Sequence, residues 1–130
     1  MVDTSVIVAG LTPEIIAHIE DYVSSAICRA ELARGLAVFH QDASRPLRAT
    51  IRQELLELLD SIPGFWLDFD ARAADGYGRL TSQPRSAMRL KDALIAGHAY
   101  AHDLTLVTLD SGFSRFPSVR LEVLEPAGAR

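Results

Sequence analysis

A chain of 130 residues fits one domain and leaves no room for two. With 48% apolar and 23% charged residues it can bury roughly two thirds of its unfolded surface in a single core, which excludes intrinsic disorder. Thirteen basic against seventeen acidic side chains give a net charge of −4, which denies the whole molecule the field of a nonspecific nucleic-acid coat protein and leaves only a local basic patch.

In chain order, residues 1–3 read as the stub of a strand, without the charged and apolar regions of a signal peptide. The apolar run from Val6 is interrupted by Gly10 and ends at Thr12, far short of the about 18 residues of a membrane span, so a soluble protein is expected. Thr12-Pro13-Glu14 opens a helix with a cap, a proline in the first turn and an early acid, and Ile15, Ile16 and Ile19 form its apolar face. Residues 22–24 read as a short strand, after which Ser25 caps a helix to about Phe39. The single Cys28 in that helix can form no internal disulfide, which fits the reducing cytoplasm. Over 48–62 the stripe Ile51, Leu55, Leu58, Ile62 has helical period, and Leu56 and Leu59 widen it beyond one core face. Pro63-Gly64 ends that helix, 65–67 reads as a buried strand, and Asp70 caps a helix through Leu80. Residues 82–85 are a loop, 90–102 a helix of small residues, 104–109 an apolar strand and 119–124 a last strand. Strand alternating with helix implies a parallel sheet covered by helices on both faces.

In such a sheet ligands bind beyond the carboxyl ends of the strands. Asp3 and Asp110 each follow a strand, and Glu31 and Asp92 lie in the first two turns of helices that start at the same rim. Taken one at a time, such acids also complement helix dipoles. The stretches that carry them are Val2-Asp3-Thr4-Ser5, Cys28-Arg29-Ala30-Glu31-Leu32, Lys91-Asp92-Ala93-Leu94-Ile95-Ala96 and Leu106-Val107-Thr108-Leu109-Asp110-Ser111-Gly112-Phe113. Together, and in this order, they resemble the PIN-domain ribonucleases, in particular the VapC-type toxins of bacterial toxin–antitoxin pairs. The resemblance covers essentially the whole chain. It implies an α/β fold, a three-layer sandwich with a central, mainly parallel sheet. It implies that Asp3, Glu31, Asp92 and Asp110 are the catalytic, metal-binding acids, with Thr4, Ser5 and Thr108 as supporting hydroxyls. The implied activity is that of a Mg²⁺-dependent (or Mn²⁺-dependent) endoribonuclease acting on single-stranded or looped RNA. The implied partners are a small VapB-like antitoxin and a second copy of the chain.

The residue types suit that chemistry. Two carboxylates about 4 Å apart repel by about 4 kcal/mol at an effective dielectric of 20, and a divalent cation removes that cost. All-oxygen ligation suits Mg²⁺ or Mn²⁺, which polarises a phosphodiester and makes a water a usable nucleophile. Between positions 79 and 91 the side chains Arg79, Arg85, Arg89 and Lys91 are cationic with no acid between them, a patch able to hold an RNA backbone or simply a solvated loop. The amphipathic excess of the 48–62 helix, with the isoleucines at 15, 16 and 19, offers a surface to a partner segment.

Other signals are weaker. His98 and His102 have the spacing of a two-histidine metal face, but no Glu follows His98 and no third ligand is evident. Asp68-Phe69-Asp70 resembles the aspartate pair of haloacid-dehalogenase-like phosphatases, but Arg72 stands where a Thr is needed, and capping by Asp70 explains it better. Cys28 reads as a buried small side chain, Trp66 as core, and Tyr77 and Tyr100 as packing residues. A receiver-like signalling module would need paired acids after the first strand and a lysine after a late one; here Asp3 stands alone and the only lysine is Lys91. A PIN domain that has lost activity and only binds a partner is the remaining alternative.

Overall fold

The computed structural model describes residues 1–82 and 89–126. Its sheet is built from very short parallel strands. β1 (Ser24–Ser25) pairs with β2 (Trp66–Leu67), and β3 (Leu106–Thr108) pairs with β4 (Leu121–Val123). Residues 1–3 stitch the two pairs together. Val2 bridges Val107 in parallel, with the Val107 N–H donating to the Met1 carbonyl at 2.7 Å and the Asp3 N–H to the Val107 carbonyl at 3.1 Å. On the other side the Val2 N–H donates to the Val23 carbonyl at 2.8 Å. The resulting order is β4, β3, residues 1–3, β1, β2. The strand stub expected at 1–3 therefore occupies the middle of the layer, and the expected central parallel sheet is present.

The helices are α1 (Thr4–Ala9), α2 (Pro13–Ala17), α3 (Ala26–Gln41), α4 (Pro46–Asp60), α5 (Ala71–Thr81) and α6 (Leu90–Ala101). Two 3-10 segments, Ile19–Asp21 and Ser111–Arg115, complete the chain path. α2, α3 and α5 begin where their capping residues predict. Thr12, Ser25 and Asp70 accept from the backbone N–H groups of Ile15, Ile27 and Ala73. α1 was not expected, because Thr-Ser-Val-Ile-Val is rich in β-branched residues. Its first turn is held by the Asp3 carboxylate accepting from the Val6 N–H at 3.2 Å, and burial of Val6 and Ile7 outweighs weak helix propensity.

The core is centred on Val2, Val6, Leu32, Leu59, Phe65, Ile95 and Leu106. α1 and α3 lie against strands, α4 lies on α3, and α5 on α6. The α5–α6 crossing is close because both helices present glycine there. A Cβ on Gly97 would lie 2.5 Å from Tyr77 Cα, and one on Gly76 2.7 Å from Ala101 Cβ. On α4 the stripe read from periodicity is partly inverted. Leu56 and Leu59 face the core, whereas Ile51 and Leu58 are 57% and 59% exposed. On the segment after α1, Ile15 is buried but Ile16 is exposed. Trp66 is half-buried, its Nε1–H donating to Asp60 Oδ1 at 2.7 Å, and is thus an edge residue of the core.

Candidate active site

Asp3 emerges from the middle of the sheet and turns directly into α1. Its side chain is buried, with 4% of the residue exposed, and each oxygen is held. Oδ1 accepts from Ser5 Oγ at 2.6 Å and from the Val6 N–H, and Oδ2 accepts from Thr108 Oγ1 at 2.5 Å. Ser5 Oγ lies 3.3 Å from Thr108 Oγ1 and accepts from the Leu109 N–H at 3.0 Å. Thr108 Oγ1 in turn accepts from the Asp110 N–H at 3.0 Å. This hydroxyl network ties the end of β3 to the start of α1, so the Asp3 carboxylate cannot swing.

Glu31 stands in the second turn of α3. Its Oε1 accepts from Thr4 Oγ1 at 2.9 Å, and its Oε2 lies 3.4 Å from Lys91 Nζ. Asp92 is in the first turn of α6, and Asp110 caps the 3-10 segment after β3, accepting from the Gly112 N–H at 2.8 Å. Asp92 reports the gathering electrostatically. Its carboxyl is held above the usual carboxylate range by burial first, then by the charges of Asp110 and Glu31, while Arg89 and Arg115 pull the other way. Cys28 is buried near Glu31 and Asp3. Burial pushes its thiol up, with the Glu31 and Asp3 charges adding to the shift, so it is an inert buried side chain.

All seven residues expected at the site, Asp3, Glu31, Asp92, Asp110, Thr4, Ser5 and Thr108, are thus linked by hydrogen bonds or by mutual charge. They do not form a finished cage: among the described residues, no three His, Cys, Asp or Glu side chains are close enough to hold an ion as they stand. The donor set nevertheless fits a hard divalent cation that keeps much of its water, since the four acids and their hydroxyl neighbours offer only oxygen and Asp92 is raised by burial first and then by neighbouring negative charge.

The cationic patch divides. Lys91 is on Glu31, and Arg89 precedes α6 within reach of Asp92's charge. Arg79 lies over the Tyr100 ring, 5.8 Å from its centroid, and Arg85 falls outside the described residues. Sequence reasoning missed Arg115, whose only signal was its place five residues after Asp110 on the segment that acid caps. His98 is wholly buried, its Nδ1 2.7 Å from Ser25 Oγ, and its Nε2 has no hydrogen-bond partner among the described residues. Asp70 is a cap, as expected. A cavity of about 390 Å³ between the loop after α1 and the β3–β4 face is lined by Leu11, Tyr22, Leu124 and Glu122 among others, and none of the four acids lines it.

The PIN-domain profile matches residues 1–119. The chain belongs to the PIN-domain family. Among solved structures, this PIN domain is similar to a chain of VapBC2 from Rickettsia felis bound to a promoter DNA fragment (26% identity, 96% of this chain and 98% of that chain, TM-score 0.75). It is also similar to FitAcB from Neisseria gonorrhoeae (28%, 92% and 94%, 0.70) and to VapBC-5 from Mycobacterium tuberculosis, a member of the VapBC family of toxin–antitoxin systems (26%, 95% and 95%, 0.71). No match was found among curated proteins. The likeness to VapC-type PIN domains drawn from the four acidic stretches is supported, and the receiver-like alternative is set aside.

Proposed function

We propose that this PIN domain is the toxin of a VapBC-type toxin–antitoxin pair, acting in the cytoplasm as a Mg²⁺-dependent or Mn²⁺-dependent endoribonuclease that hydrolyses phosphodiester bonds of single-stranded or looped RNA. The observation that carries the reading is the gathering of the acids: Thr4 beside Asp3 donates to Glu31, Thr108 joins Asp3 to the Asp110 N–H, and Asp92 is raised by burial first and then by the charges of Asp110 and Glu31. Helix capping accounts for Asp3 and Asp110 one at a time, but it gives no reason for acids from three separated segments to face one another against their own repulsion.

In this reading Asp92, Asp110, Glu31 and Asp3 hold the cation, and Thr4, Ser5 and Thr108 fix the carboxylates. When bound, the divalent cation supplies charge against the developing phosphorane oxygens and makes water a stronger nucleophile. An acid not fully committed to the cation orients the attacking water and takes its proton. Arg89 is placed to meet the RNA backbone beside the acids, and Arg79, Arg85 and Lys91 belong to the same proposed track. Val38, Leu47, Ile51 and Leu58 on α3 and α4 are exposed apolar side chains, a surface suited to an amphipathic antitoxin segment. A homodimer is part of the same proposal. Among the described residues no helix is long and apolar enough to cross a membrane.

The test is cleavage of a single-stranded RNA by the purified protein. Cleavage is expected with Mg²⁺ or Mn²⁺, lost with chelator and lost in Asp92→Asn. Equal cleavage by Asp92→Asn and wild type overturns the assignment.

A further inference from the structure

Lys91 belongs to the cationic stretch that the sequence offers to an RNA backbone, yet its ammonium is turned onto the acids. Nζ lies 3.4 Å from Glu31 Oε2, while Thr4 Oγ1 donates to the other Glu31 oxygen at 2.9 Å. Both oxygens of Glu31 therefore have partners from the chain itself. The two partners differ in kind. The threonine is a short side chain at the start of α1, and its neutral hydroxyl adds no charge. The lysine is a cation on a long stem, 61% exposed, at the first turn of α6 next to Asp92.

We infer that Lys91 is a built-in counter-ion of the acid site: its ammonium neutralises Glu31 in the metal-free protein and is displaced when a divalent cation binds there. The inference rests on the proposed metal-dependent reading of the rim. An ammonium and a divalent cation on one carboxylate oxygen repel each other, so binding of one costs the other its place. The stem is flexible and largely solvated, so Lys91 leaves without disturbing the core. Thr4 keeps Glu31 oriented after it has gone. The cation then binds to a site that is paired for part of the time, and its apparent affinity falls by that fraction. An exposed ion pair contributes about 0.2–1 kcal/mol, which converts to about 1.4-fold to fivefold in a binding constant.

The experiment compares wild type, Lys91→Met and Lys91→Arg in calorimetric titrations of the metal-free protein with Mn²⁺. Alongside, a double-mutant cycle of Lys91→Met and Glu31→Gln is run on thermal unfolding with and without saturating Mn²⁺. Lys91→Met is expected to bind Mn²⁺ about 1.4- to fivefold more tightly, and Lys91→Arg to stay near wild type. The cycle is expected to show favourable coupling in the metal-free protein that disappears with Mn²⁺. Unchanged or weaker Mn²⁺ binding in Lys91→Met overturns the inference, since a lysine serving only RNA phosphates leaves metal affinity alone and one that merely props Glu31 lowers it. Coupling in the cycle with no Mn²⁺ binding to wild type instead overturns the metal reading, and displacement with it, while the ion pair itself stands.

Discussion

Thr108 Oγ1 donates to Asp3 Oδ2 at 2.5 Å across 105 positions of the chain, joining the end of β3 to the cap of α1. Both residues are buried, so this bond fixes a charged group where water does not compensate its loss. Thr108→Val is expected to destabilise the protein by about 1.5–3 kcal/mol in chemical denaturation and to reduce RNA cleavage, whereas Thr108→Ser retains most of both.

Asp92 trades stability for its place among the acids. Its folded pKa lies above the ordinary 3.8, so its effect on folding is nil well below that value, and a penalty builds as pH rises from there to the folded pKa and is full above it. Asp92→Asn is therefore expected to raise the melting temperature of the metal-free protein at pH 7 while abolishing cleavage. The gain shrinks as pH falls through the folded pKa and vanishes well below 3.8, where the wild-type group is protonated in both states. Melting curves of both proteins across this range check the sign.

His98 titrates in the opposite direction. Burial first, then His102, lowers its pKa below 6.5, with Asp70 opposing, so the unfolded chain takes up a proton that the folded one resists. The stability that the neutral ring allows is present above pH 6.5 and drains away as pH falls below it. Between pH 7.5 and 5.5 the wild type is expected to lose more stability than His98→Asn, measured as the slope of unfolding free energy against pH.

Two glycines of the α5–α6 pair separate packing from propensity. A Cβ at Gly97 meets Tyr77 backbone, whereas one at Gly78 meets nothing within 4 Å. Gly97→Ala is expected to cost about 1–3 kcal/mol and to lower cleavage, because α6 carries Asp92. Gly78→Ala is expected to stabilise by about 0.5–1 kcal/mol with cleavage unchanged. Urea midpoints of the two variants decide it.

Much of this was legible before any coordinates. Acids just after strands or in the first turns of helices are local features, and parallel strand order places them on one rim without further information. Ser25 and Asp70 advertise helix starts through cap chemistry that depends on a few adjacent residues. α1 was hidden because its residues favour strands and its helix depends on burying Val6 and Ile7. The inward face of α4 was ambiguous because its leucines and Ile51 surround the helix, and only packing on α3 selects Leu56 and Leu59 over Ile51 and Leu58. The pairing of Lys91 with Glu31 was hidden for a related reason: a run of cations in sequence says nothing about which carboxylate a flexible side chain meets in space.

The central claim is that Asp3, Glu31, Asp92 and Asp110 together form one cation site. Crystals grown with Mn²⁺ and measured at its absorption edge test this most directly. The account predicts an anomalous peak between these carboxylates, with Asp92 among its ligands. A Mn²⁺ peak elsewhere on the molecule, with none between the four acids, would contradict it.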